Sequence, residues 1–173
     1  MTDDVFGGLI EAYLREPTDE HRRAVRDALA SRGNYDPELA VDRLAAPYVH
    51  NEAYADLVLR LLDLMPGAML SPLTHRLLGD AYEHLGDMDA ARRQRTLADL
   101  AVGAVLASGD GTAERPWAVL RVSDEHDAAE EVGRSSQHVR YEEADGRLLD
   151  VHECDDGSLV WFDVSLLQVP VTA

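Results

Sequence analysis

The sequence predicts an α+β protein in which about six helices, arranged as helical hairpins, precede a small antiparallel β-α-β-β-β module. Two observations support this fold class. Apolar residues recur at helical spacing as far as residue 107, and beyond it short Val- and Leu-rich runs alternate with turn signals. The stretch ASGDGTAERPWAVL, 107–120, separates the two patterns. We therefore expect a helical region over 1–107 and an acidic β-rich module over 108–173 packed on it.

The first three helices are predicted from apolar spacing and from residues that begin or end helices. The first helix ends at Pro17, and the second begins at Thr18 or Asp19 and stops near Gly33. The Asp-Pro pair at 36–37 is a start signal, so a third helix is expected to begin there.

The next three helices have clearer limits. The fourth carries a regular apolar stripe from Tyr54 and is closed by Pro-Gly at 66–67. The fifth opens at Ser-Pro, 71–72, and ends at Gly86. The last is expected from about residue 89 to 107, with its buried side predicted to comprise Leu97, Leu100, Ala101, Ala104 and Val105.

An internal spacing indicates a repeat. A leucine lies four residues before a tyrosine at Leu9/Tyr13, Leu44/Tyr48 and Leu78/Tyr82, at intervals of 35 and 34 residues. This is the period of a tetratricopeptide-like helix-turn-helix repeat. The third unit, LLGDAYEHLGDMDAA (77–91), resembles that repeat most, with Gly79 allowing close helix approach and Ala91 allowing tight packing.

The tetratricopeptide resemblance implies a binding groove for a protein or peptide. In such repeats the first helix of a unit presents its exposed positions to the groove, which here are Arg76, Asp80, Glu83 and His84. The alternative is that three degenerate repeats only support the β module, which then covers the groove. The sequence leaves both open.

The second half is predicted to form four strands and one helix. Strands are expected at 117–122, 137–143, 147–154 and 158–164, and the last three form a meander because ADG and DDG turns separate them. Ser123 is predicted to cap a short helix that ends near residue 132. Gly109 and Gly111 are expected at positive φ, and Trp117 is expected to fill the seam between helices and sheet.

The chain also resembles an uncharacterised bacterial group, known only as a domain of unknown function, in which tetratricopeptide-like helices precede a small β module. The resemblance begins at LIEAYL (9–14) and includes GDAYEHLGD (79–87), LDVHEC (149–154) and WFDV (161–164). It is most specific in ASGDGTAERPWAVLRVSDEHD (107–127). The group implies fold and layout, and it implies no catalytic residues.

Charge and composition limit the partners. The net charge is −17, all 16 basic residues are arginine, and the −7 of residues 1–107 compares with −10 for the shorter remainder. Such a surface repels nucleic acid and anionic membranes and attracts a basic partner, although the same bias is typical of a GC-rich genome. A lone Cys154 and an N-terminus without the pattern of a signal peptide predict a cytoplasmic protein.

Three sites with specific chemistry are weak alternatives. The SGDGT stretch lacks the lysine of a phosphate loop, and a calcium loop built on Ser108, Asp110, Thr112 and Glu114 lacks the glutamate that sets affinity. His138, His152 and Cys154 could meet on neighbouring strands, but zinc needs a further ligand. We therefore expect no metal and no cofactor.

The function expected from these patterns is non-enzymatic. We predict a protein-interaction or adaptor protein that holds a protein or peptide, preferably basic, and whose oligomeric state the sequence leaves open. One alternative is an acidic inhibitor or immunity-type protein for a basic enzyme. A second is a metal-binding protein or enzyme that uses His138, His152 and Cys154.

Overall fold

The computed structural model describes residues 3–167. Within that range there are seven helices and four strands. The helices are α1 (Asp3–Arg15), α2 (Asp19–Ala30), α3 (Val41–His50), α4 (Tyr54–Leu62), α5 (Pro72–His84), α6 (Met88–Ala107) and α7 (Val122–Glu131). The strands are β1 (Trp117–Ala118), β2 (Ser136–Ala144), β3 (Arg147–Cys154) and β4 (Leu159–Asp163). The fold class is therefore α+β, with six helices ahead of the first strand.

Helices begin at the predicted capping residues where the side chain can accept a hydrogen bond from a backbone amide of the first turn. Thr18 accepts a hydrogen bond from the His21 amide at 3.2 Å, and Ser71 accepts one from the Thr74 amide at 3.2 Å. Each bond satisfies one of the amides that have no partner in the first helical turn. None of the helices in the described range has the length and apolar content that crossing a bilayer requires.

The third helix begins later than predicted. Residues 37–38 form a turn, and α3 starts at Val41. The Asp36 carboxylate accepts a hydrogen bond from the Glu38 amide, and the Pro37 carbonyl accepts one from the Val122 amide. The start signal at residue 36 therefore stabilises a turn that is attached to α7 instead of opening a helix.

The helices pack as neighbouring pairs around two cores. One core joins α3, α4 and α5 through Val41, Leu57, Leu61 and Leu78. The other joins α1 and α2 to the far end of α6, where Ala104 lies in the same cluster as Phe6, Tyr13 and Leu29. Helices α1 and α2 therefore pack against α6 as well as against each other.

Contacts between α5 and α6 agree with two of the small-residue predictions. A Cβ on Gly79 would lie 3.1 Å from Cγ of Arg95, and Ala91 is fully buried. The predicted burial of Leu97 and Leu100 is wrong, because these side chains are 40% and 46% exposed. The packed face of α6 consists of alanines and valines, which let the neighbouring helices approach closely.

The four strands form one sheet in the order β1-β4-β3-β2. β2, β3 and β4 form the predicted antiparallel meander. The prediction of a wholly antiparallel module is wrong, because β1 pairs with β4 in parallel. α7 connects β1 to β2 as a crossover, and a helical crossover returns the chain in its original direction.

β1 is also shorter than the predicted strand over 117–122. It ends at Ala118 because the amides of Leu120 and Arg121 donate to the carboxylate of Asp124 instead of to a neighbouring strand. The chain therefore turns into α7 at this point.

Trp117 lies in the predicted seam between helices and sheet. Its side chain is 7% exposed and packs with Val102 and Val105 of α6 and with Phe162 of β4, whose ring centroid is 5.7 Å away. Gly111 has the expected positive φ of 74° and packs on the indole ring.

The prediction of positive φ at Gly109 is wrong. This glycine is needed for space, since a Cβ here would lie 2.4 Å from the carbonyl oxygens of Arg115 and Pro116. The two glycines therefore allow the turn into the sheet for different physical reasons.

Candidate functional site

A cleft of about 540 Å³ lies between α7 and the segment that leads into α3. Its apolar lining is Leu39, Ala40, Leu73 and Val122. Its polar lining is Glu38, Asp42, Arg43, Ser123, His126, Asp127 and Glu130. Its four carboxylates outnumber its single arginine, and three of them, Glu38, Asp42 and Glu130, are exposed and form its negative rim.

Helix α7 is fixed beside the cleft by the buried carboxylate of Asp127. One oxygen pairs with the Arg76 guanidinium at 2.8 Å, and the other accepts from the Leu73 amide at 3.1 Å. Burial raises the pKa of Asp127 to about 6, and Arg76 opposes this rise. Asp127 therefore ties α7 to the first turn of α5.

The N-terminal end of α7 holds a second buried carboxylate. Asp124 accepts from the backbone amides of Leu120 and Arg121, at 3.2 and 2.9 Å. Burial raises its pKa to about 7, while the nearby Arg121 guanidinium lowers it. The predicted cap at Ser123 is wrong: the cap position is Arg121, two residues earlier, and α7 begins at Val122.

Arg121 is fully buried and connects three parts of the fold. Its guanidinium donates to the Gly67 carbonyl and lies 5.2 Å from the centroid of the Tyr35 ring. The Tyr35 hydroxyl donates to the Leu120 carbonyl, and burial raises the pKa of Tyr35 to about 12. These contacts hold the segment between α4 and α5 against the start of α7.

A third buried carboxyl, Glu125, is directed at the sheet. Its Oε2 lies 2.7 Å from Nε2 of His152 on β3, and both side chains are almost fully buried. Burial raises the pKa of Glu125 to about 8 and lowers the pKa of His152. Both pKa shifts favour the uncharged forms, in which a protonated Glu125 donates a hydrogen bond to a neutral His152.

The four predicted groove residues do not line one common groove. Arg76 is directed towards α7, where it pairs with Asp127 and, at 3.3 Å, with Glu131. α7 therefore covers this end of the α5 face.

The other three groove residues, Asp80, Glu83 and His84, line a separate pocket of about 200 Å³ with Tyr54. Asp80 and Glu83 both pair with Arg95 of α6. The His84 ring is stacked on Tyr54 at 4.0 Å. This end of the face is open, but its two carboxylates already have a cationic partner.

The predicted meeting of His138, His152 and Cys154 is wrong. His138 is exposed and lies opposite Glu153, so it projects from the face of the sheet opposite to that of His152. His152 and Cys154 are buried on the core side, where Nε2 of His152 lies 2.7 Å from Oε2 of Glu125. Across the described part of the chain, no three His, Cys, Asp or Glu side chains are grouped to hold a metal ion.

The glycine stretch between α6 and β1 uses its own side chains to stabilise the backbone. Ser108 donates to the Val105 carbonyl and accepts from the Ala118 amide, at 2.6 and 2.8 Å. Asp110 accepts from both the amide and the hydroxyl of Thr112. These oxygens are committed to the turn, which agrees with its interpretation as a joint.

Sequence reasoning missed the burial of Asp124, Glu125 and Asp127. In the sequence Asp124 and Glu125 look like first-turn acids that face solvent and stabilise the helix dipole. Nothing local identifies them as buried, because their partners lie on α5, on β3 and in the turn before α7.

The fold and the cleft define an α+β protein with an acidic, partly apolar cleft beside α7. Compared with known proteins, the sequence matches no family model, no curated protein and no solved structure.

Proposed function

We propose that this protein is a non-enzymatic interaction protein that binds a basic segment of a partner protein in the cleft between α3 and α7. Its first six helices would form tetratricopeptide-like hairpins, as the repeat period implies. The observation that carries the proposal is the lining of the cleft, which combines apolar side chains with carboxylates. An arginine- or lysine-bearing segment with apolar residues between its charges has matching chemistry.

The rim carboxylates are free to meet a cation. Glu38, Asp42 and Glu130 are exposed, and none of them forms an ion pair with another residue in the range 3–167. In contrast, Asp80 and Glu83 in the pocket near Tyr54 share Arg95. The cleft beside α7 is therefore the better site for a basic ligand.

The overall charge supports the same partner class. A net charge of −17 raises the local concentration of cations near the surface and speeds encounter with a basic protein. This contribution is long-ranged and weakens with added salt, whereas apolar contacts in the cleft do not. Binding should therefore be partly, but not wholly, sensitive to salt.

A matched pair of probes tests the proposal. One is a short fluorescent peptide in which arginines alternate with leucines, and the other has glutamine in place of each arginine. We expect the arginine peptide to bind, with binding measured by fluorescence anisotropy at low and moderate salt. The triple variant Glu38→Lys, Asp42→Lys, Glu130→Lys should bind it at least about tenfold more weakly, because three attractive charges become repulsive.

The control variant changes the net charge equally on surfaces outside the cleft. Glu11→Lys, Glu20→Lys, Asp56→Lys alters three exposed carboxylates that do not line it. This variant should keep most of the affinity. Equal binding of the glutamine peptide, or an equal loss in both triple variants, would contradict the proposed site.

A further inference from the structure

Strand β2 forms an open edge of the sheet. It pairs with β3 on one side, and no described strand pairs with its other side. An irregularity in the pairing lies between Ser136 and His138, and from His138 to Ala144 the pairing is continuous. Along this seven-residue segment every second residue therefore directs its backbone N–H and C=O away from β3, and such an edge is a template for another strand.

This edge also exposes two apolar side chains. Val139 is 50% exposed and Tyr141 is 56% exposed. They lie two residues apart on one strand, so both project from the same face of the sheet. A second strand added at this edge would cover them.

The charges along β2 are complementary to those of a second, antiparallel copy of the same strand. Arg140 lies in the first half of the regular segment, and Glu142 and Glu143 lie in the second half. An antiparallel neighbour with the same sequence places its acidic half beside the basic half of this strand. The strand's own sequence therefore supplies the opposite charges that a neighbour at this edge needs, and the neighbour can be a second copy of the chain.

We infer that β2 is a homodimer interface in which two copies pair edge to edge and form one continuous eight-stranded sheet. The midpoint of the regular segment 138–144 is Tyr141, which places this residue on the two-fold axis. Arg140, which pairs with Glu142 of its own strand, then also lies opposite Glu142 of the second copy, so that the four side chains form an alternating cluster of opposite charges. Val139 lies diagonal to the second Tyr141, within reach of a large side chain.

Shifting the register loses this match. With Arg140 on the axis, the two guanidinium groups would oppose each other, and like charges directly opposite are destabilising. With Tyr141 on the axis, no like charges are opposite. The pairing also stays within the regular segment and leaves the irregular residues 136–137 outside it.

Charge reversal with rescue tests the interface. The oligomeric state is measured by sedimentation equilibrium over a wide concentration range in about 0.15 M salt, where repulsion between the two acidic copies is screened beyond ~8 Å. Arg140→Glu and Glu142→Arg should each weaken the dimer at least about tenfold, because every change creates two like-charge oppositions. The double variant R140E/E142R should restore it. Arg92→Glu, an exposed change on α6, is the control and should leave the dimer unchanged.

Crosslinking tests the register independently of the charges. In oxidising conditions Tyr141→Cys should form a disulfide between copies, since the two Cβ atoms meet at the axis. Val139→Cys should crosslink much more slowly, and the native Cys154 is buried. A monomeric protein at all concentrations, a dimer that survives both single reversals, or equal crosslinking at 139 and 141 would overturn the inference. The peptide experiment uses other residues, so either proposal can fail alone.

Discussion

The buried pair of Glu125 and His152 predicts an unusual dependence of stability on pH. The ordinary pKa of a glutamate is 4.5, which applies to the unfolded chain, and in the folded protein burial raises the pKa of Glu125 to about 8. Between these values the folded state keeps a proton that the unfolded state has released. Raising the pH through this window therefore favours unfolding.

The variant Glu125→Gln isolates this contribution. Glutamine has the same shape, never ionises, and can donate from its amide to Nε2 of His152, so the packing is preserved. Other titrating groups, including Asp124 and Asp127, are common to both proteins and largely cancel in the comparison. Relative to E125Q, the free energy of unfolding of the wild type should fall by about 1.4 kcal/mol per pH unit across the window.

Between pH 5 and pH 7 the expected relative loss is about 3 kcal/mol. The measurement is urea unfolding of both proteins at a series of pH values, followed by fluorescence. Glu114→Gln, which changes an exposed glutamate, is the control and should give a curve parallel to that of the wild type. If the difference between wild type and E125Q is constant from pH 5 to pH 8, Glu125 does not retain its proton and the argument fails.

Two further predictions concern packing between the helices and the sheet. Trp117→Ala removes the ring that fills the seam, and it should lower the free energy of unfolding by about 3–5 kcal/mol in urea titrations; a loss below about 1 kcal/mol would show that the seam is not tightly packed. Gly109→Ala should be strongly destabilising because its Cβ meets two carbonyl oxygens, whereas Gly103→Ala in α6 meets no atom within 4 Å and should stabilise by up to about 1 kcal/mol. Equal melting temperatures for the two alanine variants would contradict the close approach at Gly109.

Local signals predicted the helices because the same residues that mark their limits also satisfy their end groups. Thr18 and Ser71 begin helices as expected, since each side chain reaches an amide of its own first turn. Asp36 carries a similar signal, but its bond to the Glu38 amide and the attachment of Pro37 to α7 keep the chain in a turn. Sequence cannot separate these cases, since the difference depends on a contact with residue 122.

The sheet and the site were harder to predict, because they depend on contacts between residues that are distant in the sequence. Periodicity located three strands of the meander, but it could not show that the Asp124 carboxylate would take the amides of Leu120 and Arg121 and end β1. The strand pattern indicates His152 as a possible ligand, but it gives no sign of its partner Glu125, which lies 27 residues away on a helix. The face on which His138 lies depends on strand register, and a pattern of alternating residues does not fix register across a turn.

The two proposed surfaces are related through the symmetry of the dimer. The cleft uses residues of α3, α7 and the start of α5, and the β2 edge uses residues 138–144, so no residue belongs to both. A dimer formed through β2 would therefore carry two free copies of the cleft. A partner with two basic segments could then bind both copies, and its second contact would be intramolecular, which raises apparent affinity without a new interaction. In that case R140E and E142R would weaken binding of a divalent basic partner while leaving a single peptide unaffected, and the charge-swapped double variant would recover it.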